Sequence, residues 1–287
     1  MLVSGRRDFL LGVRFAFRSR FRGWYQRPHG RAPSPIFLTL EVTNRCNMAC
    51  RHCSQHRRPG EETDLPWETV AGVLDDFRDR RPFLQVTGGE TLLYPDLSRL
   101  LEQAERLGYG MVVQTNGLLL DRWQEALLAC RAVKRIAVSL DGDAVAHDAL
   151  RRRPGSFAEV WRALERLQEE KRRRGRRLPL LQVVTTINAV TVASLPALAE
   201  ALERLGADFL VLSHLYFGTR EQVEKHNARW GGTFPYAPHL EEGELNRVSE
   251  EELQASLREV RNRLRTVRYF EPPRRGANVE QRGHRHL

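Results

Sequence analysis

From Pro35 onward, short runs rich in Val, Ile and Leu alternate with segments of helical periodicity, and this alternation limits the possible folds more than any other feature. The apolar runs lack strict apolar–polar alternation, which is typical of strands buried on both faces. The predicted strands are Ile36–Val42, Leu84–Val86, Met111–Thr115, Arg135–Leu140, Leu180–Ile187 and Phe209–Leu212. The helices predicted between them are Pro66–Arg80, Asp96–Leu107, Asp121–Ala129, Ser156–Arg174 and Leu195–Leu205.

Six consecutive βα units predict a parallel sheet with helices outside it. Eight units would close a full barrel, so six predict an open α/β fold, a six-stranded (β/α)6 partial TIM barrel. We expect three regions: an N-terminal arm at 1–34, the partial-barrel core at 35–217 and a helical C-terminal extension at 218–287. Within the extension, a capping box of Ser249 and Glu252 predicts a final helix over 249–264.

The positive charge of the chain is concentrated at its start. Residues 1–31 hold eight Arg against Asp8 alone and so contribute +7 of the formal net charge of +10. Apolar residues of this arm fall on one side of a helix and most of its arginines on the other. This pattern predicts either an amphipathic helix on an anionic membrane surface or acidic partner, or a helix docked on the domain behind it.

Composition excludes several classes of protein. No uninterrupted apolar run exceeds five residues, whereas a bilayer span needs about 20. The core is close to neutral and has no basic stripe tied to aromatic residues, which argues against nucleic-acid binding. Four cysteines, three of them within eight positions, favour metal binding in a reducing compartment over crosslinking. We therefore expect a cytoplasmic protein, with peripheral membrane attachment if the arm binds lipid.

Directly after the first predicted strand stands a cysteine loop, Cys46-Asn47-Met48-Ala49-Cys50-Arg51-His52-Cys53. Three thiolates at this spacing can bind three irons of a [4Fe–4S] cluster and leave the fourth iron open to a substrate or cofactor. The alternatives are a disulfide or a structural zinc site, which would need a fourth ligand such as His52, His56 or Cys130. Cys130 follows Leu127 and Leu128 and is interpreted as a buried small apolar residue.

The C-x3-C-x2-C loop after the first strand resembles the signature of the radical SAM superfamily. The resemblance implies that S-adenosylmethionine (SAM) binds the open iron and is cleaved by one electron to give a 5′-deoxyadenosyl radical, which abstracts hydrogen from a substrate. The cluster cysteines would be Cys46, Cys50 and Cys53. An external one-electron donor of the flavodoxin or ferredoxin kind would supply the electron.

Further motifs at predicted strand ends resemble the SPASM, or peptide-modifying, sulfatase-maturase-like branch of that superfamily. Gly88-Gly89-Glu90 is similar to the motif that holds the SAM amino group, and Asn116 lies in a Thr-Asn-Gly segment. Ser139 and Arg151 match positions that contact the SAM carboxylate or ribose. The alternative is that these are ordinary turns and a solvated basic segment. No Cys follows Cys130, so the auxiliary-cluster cysteines of the branch are missing here.

The insertion 213–248 leaves the sixth strand at its carboxyl end and is far longer than a typical connection. We expect His214 and Tyr216, close to that strand end, to face the substrate as part of a lid, and the aromatic residues further on to pack on the final helix. The predicted function is hydrogen abstraction from a peptide or protein substrate. Two alternatives remain: the same chemistry on a small metabolite or lipid precursor, and a non-enzymatic cluster-binding partner subunit.

Overall fold

The structure is a computed structural model that describes residues 35–53, 62–215, 217–233, 239–240 and 243–270. The predictions for the arm at 1–34, for Tyr216 and for the last residues of the extension lie outside the described residues. The chain divides into Met1–Ile36 and Phe37–Leu287. All the helices and strands given below belong to the second unit.

The main sheet consists of parallel strands whose carboxyl ends share one edge. Its strands are β1 (Phe37–Thr43), β2 (Phe83–Gly88), β3 (Met111–Thr115), β4 (Val133–Ser139), β5 (Leu180–Ile187), β6 (Phe209–His214) and β9 (Arg268–Phe270). A small second sheet pairs β7 (Phe217–Gly218) with β8 (His239–Leu240), also in parallel. The order in the main sheet is β1-β2-β3-β4-β5-β6-β9, so neighbours in the chain are neighbours in the sheet.

Helices connect the strands. They are α1 (Trp67–Asp76), α2 (Leu97–Arg106), α3 (Leu120–Ala129), α4 (Ala144–Arg151), α5 (Ser156–Arg173), α6 (Leu195–Leu205), α7 (Arg220–Trp230) and α8 (Glu250–Arg263). Short 3-10 turns occupy Thr91–Leu93, Val192–Ser194 and Glu244–Asn246. The apolar side chains of strands and helices form one large buried core. In β5, for example, Leu181 and Val183 are fully buried, while Gln182 between them is half-buried.

The α/β partial-barrel prediction is confirmed, with one more strand than expected. The predicted count of six is wrong because β9 pairs with β6 as a seventh strand. This addition depends on Glu203 of α6, whose carboxylate accepts hydrogen bonds from the backbone N–H groups of Arg265, Thr266 and Val267 at 3.0, 2.8 and 3.1 Å. These bonds turn the chain after α8 and direct it into β9.

Candidate active site at the carboxyl edge of the sheet

The three clustered cysteines lie in the loop that follows β1. Cys46, Cys50 and Cys53 are half-buried and form no disulfide. The backbone N–H of Arg51 donates to the Leu150 carbonyl oxygen at 2.8 Å, which ties the loop to the end of α4. The N–H of Cys53 donates to the carbonyl oxygen of Cys50 at 3.2 Å, so the last two cysteines sit on one tight turn.

Arg45 braces the beginning of this loop, a role that its place between Asn44 and Cys46 does not reveal. Its Nε donates to Asp64 Oδ1 at 3.1 Å, and its Nη2 donates to the carbonyl oxygen of Leu93 at 2.8 Å. Asp64 also forms an isolated bridge with Thr43 at the end of β1. The cysteine loop is therefore fixed to two neighbouring connections before it reaches Cys46.

Gly88 and Gly89 bring the end of β2 into direct backbone contact with the cysteine loop. The N–H of Gly89 donates to Thr43 O and the N–H of Glu90 donates to Arg45 O, both at 2.7 Å. A Cβ at Gly88, which has a φ of +154°, would collide with Thr43 O, and a Cβ at Gly89 would collide with Arg45 O. Only glycine allows this close approach.

The Glu90 side chain points into the protein and is fully buried. Its Oε1 accepts from the Leu92 N–H at 3.0 Å and from the Thr115 hydroxyl at 2.6 Å, and its Oε2 accepts from the Asn116 N–H at 2.6 Å. Burial raises the pKa of Glu90, although these hydrogen bonds oppose the shift. Glu90 thus joins the ends of β2 and β3, and its carboxylate is enclosed by protein.

Asn116 links the end of β3 to the cysteine loop. Its Nδ2 donates to Asn47 Oδ1 at 2.7 Å and lies 4.0 Å from Cys46 Sγ. Its Oδ1 accepts from the Leu118 N–H at 3.0 Å. The predicted strand-end asparagine is therefore beside a predicted cluster cysteine.

Arg151 lies beside a second cysteine and forms a buried ion pair with Asp141. Its Nε donates to Asp141 Oδ2 at 2.8 Å, its Nη2 donates to the same oxygen, and its Nη1 lies 3.7 Å from Cys50 Sγ. Burial alone would raise the pKa of Asp141, but the charge of Arg151, the hydrogen bond from the Thr186 N–H and further neighbouring groups together hold that pKa below its usual value. Sequence reasoning identified Arg151 but missed this pairing.

His147 on α4 and Ser139 at the end of β4 lie near this pair. The His147 imidazole is fully buried, and its Nδ1 accepts from the Asp141 N–H at 3.1 Å. Burial, together with the charge of Arg151, lowers the pKa of His147 to about 4, so the ring is neutral at neutral pH. Ser139 is half-buried at the last position of β4. His147 was not predicted as a site residue, because a single histidine in a helix carries no signal.

His214, at the end of β6, lines a cavity of about 140 Å³. The polar lining groups are His214, Asn246 and Glu250, and the aliphatic ones are Ile187, Leu245, Val248 and Leu253. The lining segment is attached to the site: Arg51 forms an ion pair with Glu244 at 3.6 Å, and the Ala189 N–H donates to Leu245 O at 3.0 Å.

Cys130 lies on the opposite edge of the sheet, because it follows α3 and precedes the amino end of β4. It is 8% exposed, and its Sγ donates to the carbonyl oxygen of Leu101 at 3.5 Å. The structure therefore separates Cys130 from the other three cysteines.

The donor set of the loop suits an iron–sulfur cluster. In the described part of the chain, no three His, Cys, Asp or Glu side chains converge on a single ion position. A cluster does not need such convergence, since each cysteine binds a different iron. Burial raises the pKa of Cys46 to about 11 as a free thiol, but metal binding deprotonates a thiol outright. Amide and guanidinium donors beside Cys46 and Cys50 complement the negative charge that such thiolates carry.

A parallel α/β sheet with a three-cysteine loop at its carboxyl edge defines an iron–sulfur protein of the partial-barrel class. The profile of the "Radical SAM superfamily" matches residues 40–185, about half of the chain. The chain belongs to the radical SAM superfamily, a family of enzymes that uses a [4Fe–4S] cluster and SAM.

The curated relatives include a synthase and a maturase. The chain is 32% identical to Fe-coproporphyrin III synthase of Methanosarcina barkeri over 185 residues, 64% of this chain and 45% of that protein. It is 37% identical to the mycofactocin maturase MftC of Mycobacterium ulcerans over 147 residues, 50% of this chain and 38% of that protein. The chain thus spans about half of the length of the curated relatives that it matches, or less than half.

Solved structures share the fold. SuiB of Streptococcus suis matches with a TM-score of 0.63 at 14% identity, over 94% of this chain and 56% of SuiB. SuiB bound to its precursor peptide SuiA matches with a TM-score of 0.56 at 14% identity, over 79% of this chain and 51% of SuiB. In the part of this chain that the structure describes, no helix is long and apolar enough to cross a bilayer.

Proposed function

We propose that Cys46, Cys50 and Cys53 hold the [4Fe–4S] cluster of a radical SAM enzyme that acts on a peptide. The observation that carries this proposal is the placement of the three free, half-buried thiols at the carboxyl edge of the sheet, with nitrogen donors beside Cys46 and Cys50. When bound, the cluster and SAM would supply reductive cleavage of SAM to a 5′-deoxyadenosyl radical that abstracts a substrate hydrogen, with an external flavodoxin- or ferredoxin-like protein as electron donor.

The predicted cofactor-binding residues divide into two groups. Glu90, Asn116 and Arg151 are engaged by protein atoms, and we propose that their side chains act by holding the cysteine loop. The half-buried Ser139 and the backbone at Gly88 and Gly89 remain our candidates for direct contact with SAM. A hydroxyl and backbone carbonyls are suited to bond the ribose and the ammonium group of SAM.

The cavity at His214 favours a peptide substrate over a tetrapyrrole. Its volume of about 140 Å³ lies well below the roughly 300 Å³ at which pockets for drug-sized ligands begin. One amino-acid side chain fits such a space and a porphyrin macrocycle does not. The mixed aliphatic and polar lining suits a side chain that ends in a polar group. The maturase MftC supports the peptide class, whereas Fe-coproporphyrin III synthase supports a tetrapyrrole as the second candidate.

Anaerobic reconstitution tests the cofactor chemistry. The wild-type chain should take up iron and sulfide and form 5′-deoxyadenosine from SAM with dithionite. Cys50→Ala should lose both properties, and Cys130→Ala should keep both. Wild-type protein that holds four irons and forms no 5′-deoxyadenosine would refute the proposed activity.

A second experiment separates the two substrates. Uniformly deuterated peptides, prepared by digestion of deuterated cell protein, should transfer deuterium into 5′-deoxyadenosine, and unlabelled coproporphyrin III should not stimulate SAM cleavage. His214→Ala should reduce the transfer, and His226→Ala on α7 is the control. Stimulation by coproporphyrin III without deuterium transfer from peptides would establish the tetrapyrrole candidate instead.

A further inference from the structure

The ion pair between Asp141 and Arg151 is nearly sealed from solvent. The Asp141 side chain is 0% exposed and the Arg151 side chain 7%. In the pair between Lys171 and Asp208, by contrast, the aspartate side chain is 24% exposed. A sealed pair is expensive to desolvate and is often replaceable by apolar residues without loss of stability. Its placement against the cysteine loop therefore suggests a purpose other than stability.

The neighbours of Asp141 fix the direction of the Arg151 guanidinium. Asp141 Oδ1 accepts from the Thr186 N–H at 2.8 Å, which anchors the carboxylate to the end of β5. Asp141 Oδ2 accepts from both Nε and Nη2 of Arg151. With one edge of the guanidinium held in this way, Nη1 is left to face Cys50 Sγ at 3.7 Å.

The charge of Arg151 acts directly at this sulfur, because its Nη1 lies 3.7 Å away. His147, which bonds the Asp141 backbone, is neutral at neutral pH. Asn116, beside Cys46, offers a donor without charge. The two cysteines thus differ: one sulfur receives a neutral amide and the other a charged guanidinium.

We infer that Asp141 positions Arg151 as a charged hydrogen-bond donor to Cys50 Sγ and that this contact raises the reduction potential of the cluster. The inference rests on the proposed cluster. Hydrogen bonds and positive charge at the cysteine sulfurs stabilise the reduced cluster, which carries one more negative charge than the oxidised one. In this role Arg151 acts on the cluster through Cys50 Sγ.

A redox titration of the reconstituted cluster without SAM, followed by electron paramagnetic resonance, tests this inference. Arg151→Gln should keep the cluster and shift its midpoint potential to more negative values. We expect at least a tenfold change in the equilibrium constant for reduction, which is ~59 mV for one electron. Arg151→Lys keeps the charge and should recover part of the shift. Arg153→Gln is the matched control, because Arg153 is exposed and pairs with Glu159.

The double variant Asp141→Asn/Arg151→Gln covers the case in which Arg151→Gln fails to fold, because it leaves no unpaired buried charge. Its reference is Asp141→Asn, which keeps Arg151, and relative to that reference its midpoint potential should be more negative. A midpoint potential of Arg151→Gln equal to that of Arg153→Gln, or of the double variant equal to that of Asp141→Asn, with iron content retained, would overturn the inference and leave the proposed function intact. A wild-type chain that binds no iron would instead remove the proposed function itself.

Discussion

Replacement of Glu90 tests how the site is supported. In Glu90→Ala, the N–H groups of Leu92 and Asn116 and the hydroxyl of Thr115 lose their acceptor inside the protein. An unpaired buried donor costs ~1–3 kcal/mol, and relaxation lets water reach some of them, so we expect a loss of about 3–5 kcal/mol. This is a large part of the ~5–15 kcal/mol by which domains are stable.

Glu90→Gln should cost less. The amide oxygen can still accept from Leu92 and Thr115, but the new NH2 group would face the Asn116 N–H, which now lies 2.6 Å from Oε2. Against this, the neutral amide avoids the burial cost that raises the pKa of Glu90. We expect a net loss of about 1–2 kcal/mol, together with faster hydrogen exchange at Asn116.

Urea denaturation measures the stability of both variants, provided that the dependence of the unfolding free energy on urea concentration keeps the wild-type slope. The control is Glu102→Gln on the exposed face of α2, which should change stability by less than ~0.5 kcal/mol. If the free energy of unfolding of Glu90→Ala lies within ~1 kcal/mol of the wild-type value, the carboxylate does not hold the strand ends together and the reasoning fails. Iron uptake by Glu90→Gln should also be slower, because Glu90 is connected to the cysteine loop through Asn116.

Three other changes give direct outcomes. Glu203, whose hydrogen bonds to Thr266 and the backbone of 265–267 hold its pKa at about 2 despite partial burial, stabilises the fold above its unfolded pKa. That contribution disappears as pH falls from about 4.5 toward 2, so Glu203→Gln should lose about 1–2 kcal/mol at pH 7 and show a flatter acid limb in stability measurements. Gly89→Ala should disrupt the contact with Arg45 and abolish iron binding, while its circular dichroism keeps the helical signal. Cys130→Ala should reduce stability by about 1 kcal/mol and leave the iron count unchanged by colorimetric assay.

The strands and long helices were predictable because their signals are local. Runs such as Leu180–Ile187 contain enough buried aliphatic residues to be recognised without any neighbour. The elements that were missed are short or weakly patterned. β9 has three residues, α4 has eight, and none of the side chains of α7 is buried. β9 depends on tertiary contacts with Glu203, whereas α7 begins at a local capping box of Thr219 and Gln222.

The cysteine triplet could be recognised because its three cysteines lie within one loop, whereas the residues that contact them come from distant parts of the chain. Arg151 meets Cys50 across 101 residues and Asn116 meets Cys46 across 70. Spacing along the chain carries no information about such pairs. For the same reason, sequence reasoning could not anticipate that the Arg151 guanidinium pairs with Asp141.

The order of strands in the sheet has a consequence for synthesis on the ribosome. Each of the strands β2 to β6 pairs with the strand made just before it, so the nascent chain can add β1 through β6 one at a time as it emerges. The cysteine loop is the exception: Arg51 must wait first for Leu150 and then for Glu244, which is translated after all six of those strands. A chain whose translation has not yet reached residue 244 therefore holds the cysteine loop without its contact to Glu244.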